Sequence, residues 1–415
     1  MSSRSVIETS GKKVRTKNIS RRVRKIVISP IKEMSILADT AAQESKTKII
    51  SFGQGIPYWD TPDNIKRGIV RALDKIEAAK YTLEPGITEL RELVAKNIER
   101  SRRVPKVSKE EVMITVGCQE AVDCAIATVI DPGEEILLPE PAFASHIEQI
   151  IQFGGVPKFV PLREKNGWHL SLGECARRIT KKTRAVLISN PSNPTGMVYS
   201  KSELTALSAL ARRKNLVIIA DETYDFLTYG GAKHFSPASI PWARERTIVC
   251  GSFSKKYAMT GYRVGFAYAP EGILYHMLKV HDALAICAPA ISQLAAIAAL
   301  KGPQTSVKTA VRRLAENRKA ICRELDALSD ILTYEKPMGA YYILAKLKRP
   351  NTDSFRLVLK ILREASVVVI PGGAFGPTGE GHIRFSFAGK PEEIKTGMRR
   401  FRAWAKKWKK ENYAL

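Results

Sequence analysis

The stretch Ser252-Phe253-Ser254-Lys255-Lys256-Tyr257-Ala258-Met259-Thr260-Gly261-Tyr262-Arg263-Val264-Gly265 decides how this chain reads. Lys255 stands three residues after Ser252 and eight before Arg263, in a segment punctuated by glycine. An amine so placed can hold an aldehyde as a Schiff base while a hydroxyl and a guanidinium hold a phosphate. A solvated basic loop would carry similar residues, so the reading depends on whether the rest of the chain supplies partners for that chemistry.

Pyridoxal 5'-phosphate (PLP) is the cofactor that needs both grips, and its other demands each find a candidate. The phosphate dianion needs N–H donors and cations. The turn Gly117-Cys118-Gln119 follows an apolar strand and opens a helix, so its amides and the helix dipole aim at one spot. Ser252 and Arg263 can add a hydroxyl and a two-pronged guanidinium. The pyridine nitrogen stays protonated beside a buried carboxylate, and Asp221 ends the apolar run Leu216–Ala220. Glu222 should face the opposite side of an extended chain. Asp221 could also serve simply as a helix N-cap. Tyr224 can bond the phenolic oxygen of the ring, and so can Asn193, held between the two prolines of Asn190-Pro191-Ser192-Asn193-Pro194-Thr195-Gly196. Phe143, in Glu140-Pro141-Ala142-Phe143, is the candidate to stack on the ring.

Taken together, these motifs make the chain resemble the class I/II PLP-dependent aminotransferases, of the aspartate aminotransferase-like fold type I, from about Ser20 to Phe401. Within that pattern Lys255 is the Schiff-base lysine and Lys256 a bystander. Gly55-Ile56-Pro57-Tyr58-Trp59-Asp60-Thr61-Pro62 is similar to the family's glycine-proline turn, where Gly55 meets the substrate through its backbone. Lys80-Tyr81, followed by Gly86-Ile87-Thr88-Glu89-Leu90-Arg91, is similar to the segment whose tyrosine, here Tyr81, reaches the phosphate held by the partner subunit. Pro371-Gly372-Gly373-Ala374-Phe375-Gly376 and His382-Ile383-Arg384-Phe385-Ser386 resemble the segment whose arginine, here Arg384, takes the substrate α-carboxylate; Asn193 joins it in contacting substrate. Two departures stand out. Tyr58 occupies a position that is often acidic in the family, and Cys118-Gln119 is one variant of a variable phosphate turn.

The resemblance implies a large domain with a mostly parallel, seven-stranded sheet between helices, a smaller α+β domain, and a homodimer with shared active sites. It implies a ping-pong transfer of an α-amino group from an amino acid (aspartate, aromatic or another common donor) to a 2-oxo acid such as 2-oxoglutarate. Lys255 would be nucleophile and proton carrier, with Asp221 and Tyr224 as its catalytic partners. Other reactions share this core chemistry, a β-lyase or a cyclopropane-forming synthase among them, but Thr260-Gly261-Tyr262-Arg263 favours an aminotransferase. A PLP-bound regulator would need a DNA-binding domain ahead of the PLP domain, and the tail before Ser20 is too short for one.

Bulk properties agree with a large enzyme. At 415 residues with 44% hydrophobic content the chain can bury a sizeable core, and two domains are expected. Their expected bounds are a basic tail over 1–20, an N-terminal segment over 21–60 packing on the small domain, a PLP-binding domain over 61–300 and a small domain over 301–415. No apolar run approaches a membrane span, and the first residues lack the apolar core of a secretory signal. The six scattered cysteines form no CxxC pair, so neither a metal site nor a disulfide framework is expected, and a reducing cytoplasm fits. The formal net charge of +26 is concentrated at both ends, notably Arg399, Arg400, Arg402, Lys406, Lys407, Lys409 and Lys410. Phe401, Trp404 and Trp408 interleave with that second cluster at helical spacing, so it reads as a packed helix with a basic outer face and not as a nucleic-acid site.

Short apolar runs at Val112–Val116, Glu135–Leu138, Ala185–Ser189, Leu216–Ala220 and Thr247–Gly251 predict strands buried on both faces of a parallel sheet. Helices are expected over Ser35–Ala41, Glu120–Ile130, Ala290–Leu300 and Ser306–Ser329. Strands are expected at Ile49–Phe52, Ala340–Ala345, Val367–Ile370 and His382–Ser386. Ligands of such sheets bind beyond the carboxyl ends of the strands, where these polar clusters fall.

Overall fold

The computed structural model describes residues 18–44, 47–74, 76–349 and 352–412, so the expected basic tail lies almost wholly outside the described residues. The first α-helix among the described residues is α1 (Pro30–Glu44), which starts five residues earlier than its apolar spacing suggested. Pro30 presets the helical φ at the first position, and the Ser29 carbonyl accepts from the amides of Lys32 and Glu33. Strand β1 (Ile50–Ser51) and helices α2 (Asp63–Leu73) and α3 (Thr88–Arg102) follow.

The middle of the chain alternates strand and helix: β2 (Val112–Thr115), α4 (Gly117–Val129), β3 (Glu135–Glu140), α5 (Ala144–Gln152), β4 (Val156–Pro161), α6 (Leu172–Arg178), β5 (Thr183–Ser189), α7 (Lys201–Arg213), β6 (Val217–Asp221), α8 (Pro241–Arg244), β7 (Thr247–Ser252) and β8 (Gly265–Tyr268). These strands form one seven-stranded sheet in the order β2-β8-β7-β6-β5-β3-β4. β8 runs antiparallel to both its neighbours, and the remaining pairings are parallel. The fold class expected from the sequence is the one found. The near-continuous apolar runs of β2, β5, β6 and β7 are buried on both faces, as a helix-covered sheet requires.

Two strands of this sheet escaped the sequence reading. β4 contains Pro157 and Pro161 and is only half-buried, which suits its place at the sheet edge, where missing N–H donors cost little. β8 is hidden in the tail of the lysine segment. Helix α4 also begins three residues earlier than expected, at Gly117 itself.

Beyond β8 come α9 (Glu271–Ala285), α10 (Ala290–Lys301), α11 (Thr305–Asp326), β9 (Leu332–Tyr334), β10 (Tyr342–Leu347), α12 (Ser354–Ala365), β11 (Val367–Val368), β12 (Ile370–Pro371), β13 (His382–Ser386) and α13 (Pro391–Asn412). β12, β13, β10 and β9 make a four-stranded antiparallel sheet, while β1 pairs in parallel with β11 in a separate two-stranded sheet, bringing Ile50–Ser51 beside the C-terminal third. The basic helix α13 buries Phe401, Trp404 and Trp408 and turns its lysines and arginines outward; the Phe401 ring meets Phe385 of β13 at 5.0 Å. No helix among the described residues is long and apolar enough to cross a membrane.

Candidate active site

The ends of β5, β6 and β7, the opening of α4, and β10 and β13 of the second sheet enclose a cavity of about 380 Å³. Gly55, Cys118, Gln119, Phe143, Asn193, Asp221, Tyr224, Ser252, Lys255, Arg263 and Arg384 all line it. Gly117 lies just behind: a Cβ there would stand 2.5 Å from Nη2 of Arg263, and its φ of +78° suits only glycine. Tyr81 is the exception among the candidates. It is 78% exposed and does not line this cavity.

The Lys255 amine donates to the Gly55 carbonyl at 2.6 Å, and the Tyr341 hydroxyl donates to the same oxygen at 2.8 Å. Burial, then Arg263 and Arg384, draw the lysine down to about 8, with Asp221 pulling the other way. A lysine so shifted is a far better nucleophile at neutral pH than a solvated one.

Asp221 sits at the last position of β6, buried. Its Oδ1 accepts from the Thr223 amide at 3.0 Å and faces the Cys118 thiol at 3.5 Å, and its Oδ2 lies 3.2 Å from Nε2 of His146. Burial alone would push this carboxyl up, but His146 and Thr223 hold it below its ordinary value, so it is a buried anion. Burial and Asp221 in turn push the Cys118 thiol well up, which leaves it neutral. Glu222, its neighbour in sequence, turns to the other side of the strand and bonds Arg102 at 2.6 Å.

Arg384 is buried. Its Nη1 donates to Asn193 Oδ1 at 3.0 Å, Nη2 donates to the Gly53 carbonyl, and Nε has no partner. Its guanidinium lies over the Tyr342 ring at 4.6 Å. The hydroxyls of Tyr342 and Tyr224 meet at 2.8 Å, and burial raises both phenols. Gly55 is held against this pair: a Cβ there would stand 1.8 Å from the Tyr342 oxygen.

The chain matches the family model "Aminotransferase class I and II" over residues 47–401. The chain belongs to this family. It is 38% identical to aromatic-amino-acid aminotransferase 2 of Thermococcus litoralis, over 85% of this chain and 90% of that protein. It is 36% identical to an aspartate aminotransferase of Pyrococcus abyssi, over 89% and 94% respectively. Among solved structures it is similar to aspartate aminotransferase from Thermus thermophilus with maleate, with a TM-score of 0.88 and 31% identity over 94% of this chain and all of that one.

As a class I/II aminotransferase this protein is a PLP-dependent enzyme that moves an amino group between an amino acid and a 2-oxo acid. The residues present fit the cofactor. The opening of α4, Ser252, Ser254, Thr260 and Arg263 form a cationic, hydroxyl-rich end suited to a phosphate, with Asp221 and Lys255 lining the same cavity.

Several lining residues of this aminotransferase lay beyond the sequence reading. His146 had a signal: it follows Phe143 by one helical turn at the opening of α5, and the two rings meet edge-on at 5.4 Å. Tyr342 had none, since it arrives from a strand more than a hundred residues away. Elsewhere, Glu120, Cys124 and His281 form a buried trio. Both Glu120 oxygens are engaged there, one by the Val116 amide and one by His281 Nδ1 at 3.0 Å, so the trio fastens the opening of α4 to α9.

Proposed function

We propose that Lys255 anchors PLP through Nζ and carries the substrate α-proton, with Asp221 opposite the pyridine nitrogen and Arg384 on the substrate α-carboxylate. One observation carries this reading: a half-buried amine drawn to about 8, a buried carboxylate and a buried arginine line one cavity. When bound, PLP supplies a carbonyl carbon that accepts the amino group and a ring that withdraws electrons from the substrate α-carbon. The protein's own residues do the rest. Gly117, Cys118, Gln119, Ser252 and Arg263 would hold the phosphate, and Phe143 would pack against the ring. Asn193 and Tyr224 donate to the ring oxygen. Gly55 and Asn193 border the substrate. Lys255 Nζ would take up the substrate α-proton and give it back, so one group would serve as base and then as acid.

The substrate pair follows from charge. Lys255, Arg263 and Arg384 are committed by this scheme, which leaves Lys32, in the first turn of α1, as the remaining cation lining the cavity. It supports an acidic side chain on one partner, as in 2-oxoglutarate with aspartate or glutamate; the apolar lining of Ile31, Ile56 and Phe143 leaves room for an aromatic donor.

The same reading takes the protein as a cytoplasmic homodimer divided into the domains expected from the sequence. Val70, Leu73, Ile76, Tyr81 and Leu83 are exposed within one short stretch, an apolar face that suits a second copy. Tyr81 would then reach the partner's phosphate. The six free cysteines suit a reducing compartment.

The test is a panel of amino donors with 2-oxoglutarate, scored by oxo-acid formation, on wild type and Lys255→Ala. Wild type should convert at least one donor and Lys255→Ala none. Turnover near wild type in the variant overturns the assignment.

A further inference from the structure

At three places the residue after a group just assigned turns away from the cavity into one largely buried charged cluster. Glu222 follows Asp221, Asp225 follows Tyr224, and Lys256 follows Lys255. Arg102, from the end of α3, joins them: Nε donates to Glu222 Oε2 at 2.6 Å and Nη1 lies 3.0 Å from Asp225 Oδ2. The side chains of Arg102 and Glu222 are 2% and 0% exposed, and Asp225 is 10% exposed.

Lys256 lies in the field of Asp225 and shares a small void with Arg102, Asp225 and Ser252. Ser252 lines the cavity on its other side, so only the strand end separates the cluster from the site. The Arg102 guanidinium also lies over the Phe266 ring at 5.4 Å, and that ring presses on Gly251 of β7, where a Cβ would stand 2.1 Å away. His234 Nε2 stands 3.6 Å from Glu222 Oε2, and neither ring nitrogen has a hydrogen bond.

Two acidic and two basic side chains balance in formal charge, which eases their sharing a site where Arg102 and Glu222 are fully buried and Asp225 and Lys256 partly. Such a cluster costs desolvation that apolar residues would not, so stability alone does not explain it. Its geometric effect is distinctive: one guanidinium bridges the β6 end to the turn after it, and Lys256 of the lysine segment shares a void with that guanidinium and with Asp225.

We propose that Arg102, Glu222, Asp225 and Lys256 are positioning residues that set the Lys255 amine against the Asp221 carboxylate and the Tyr224 hydroxyl. Lys256 is therefore no bystander. The proposal rests on the roles given above to Lys255 and Asp221. Activity retained by Lys255→Ala would remove those roles, whereas the experiment below removes only the cluster's.

The test uses the PLP-loaded enzyme carrying Lys256→Met, and the doubly neutral Lys256→Met/Asp225→Asn, which keeps charge balance if the single change fails to fold. Ile361→Ala in α12, buried far from the cluster, serves as a comparison that lowers Tm by packing alone. Misplacing the reactive amine should lower kcat at saturating PLP by roughly tenfold to a hundredfold, with a smaller change in KM. It should also move the pH midpoint of the cofactor's visible band, which follows the surroundings of the Lys255 amine: Asp221, Arg263 and Arg384. Ile361→Ala should lose Tm and keep both. Cluster variants that lose only Tm, with kcat and the pH midpoint of wild type, overturn the proposal.

Discussion

Nε2 of His146 stands 3.2 Å from Oδ2 of Asp221, and this contact, with Thr223, keeps a carboxylate ionised where burial would neutralise it.

Replacing His146 by Ala leaves burial less opposed, so the Asp221 carboxyl should rise toward neutrality. Asp221 has a lowered pKa in the native enzyme, so its charge is lost as pH falls, and raising that pKa brings the loss in sooner. The acid limb of the kcat profile in His146→Ala should therefore lie at higher pH than in wild type. Asp221→Ala removes the charge outright and should lower kcat by at least about a hundredfold, with weaker PLP retention. Rate profiles across pH and dialysis against PLP-free buffer read both effects.

In the PLP-free protein, Lys255 is drawn from an ordinary 10.5 to about 8. Its folded state then binds fewer protons than its unfolded state between those values, so its contribution to stability rises with pH across that window and is smallest below it. PLP-free Lys255→Met should be the more stable protein at pH 7, by on the order of 1–3 kcal/mol. The gap should narrow from about pH 8 towards 10.5, which melting curves at several pH values would reveal.

Arg384 makes two directional bonds from one planar group, to Asn193 and to the Gly53 carbonyl. Lysine cannot reproduce that fork. Arg384→Lys should lower kcat/KM for amino donors by roughly a hundredfold, a loss in the range found when one partner of a buried charged contact is truncated. The visible absorbance of bound PLP should persist, because the substitution leaves the Lys255 end intact.

If Tyr81 serves the partner's site, two inactive proteins should rescue each other. Lys255→Ala and Tyr81→Ala subunits, unfolded together and refolded in equal amounts, would give hybrids with one complete site. Random pairing then restores about a quarter of wild-type activity. Assays of the mixture against each variant alone decide it, and no gain on mixing would place Tyr81 outside the site.

What could be read in advance divides along physical lines. Strands β5, β6 and β7 were legible because burial on both faces leaves an almost unbroken apolar run, ended by the polar residues that build the site. β4 was not, since an edge strand tolerates prolines that elsewhere mark a turn. Lys255, Asp221 and Asn193 were singled out because PLP imposes separate chemical demands, and Arg384 through the family resemblance; all four line one cavity. The contacts that tune them were not legible. Tyr224 meets Tyr342 across 118 residues of chain and Arg102 meets Glu222 across 120, and no local pattern encodes such meetings. Lys32 shows the limit from the other side: among 67 lysines and arginines only the folded chain singles it out.

Arg384 bonds Gly53 across 331 positions and Asn193 across 191. A chain still emerging from the ribosome can therefore assemble Asp221 and Lys255 long before β13 exists to close the circuit. Until β13 docks, the cavity would lack Arg384, so in the roles proposed above the grip on a substrate is added only near the end of the chain's synthesis.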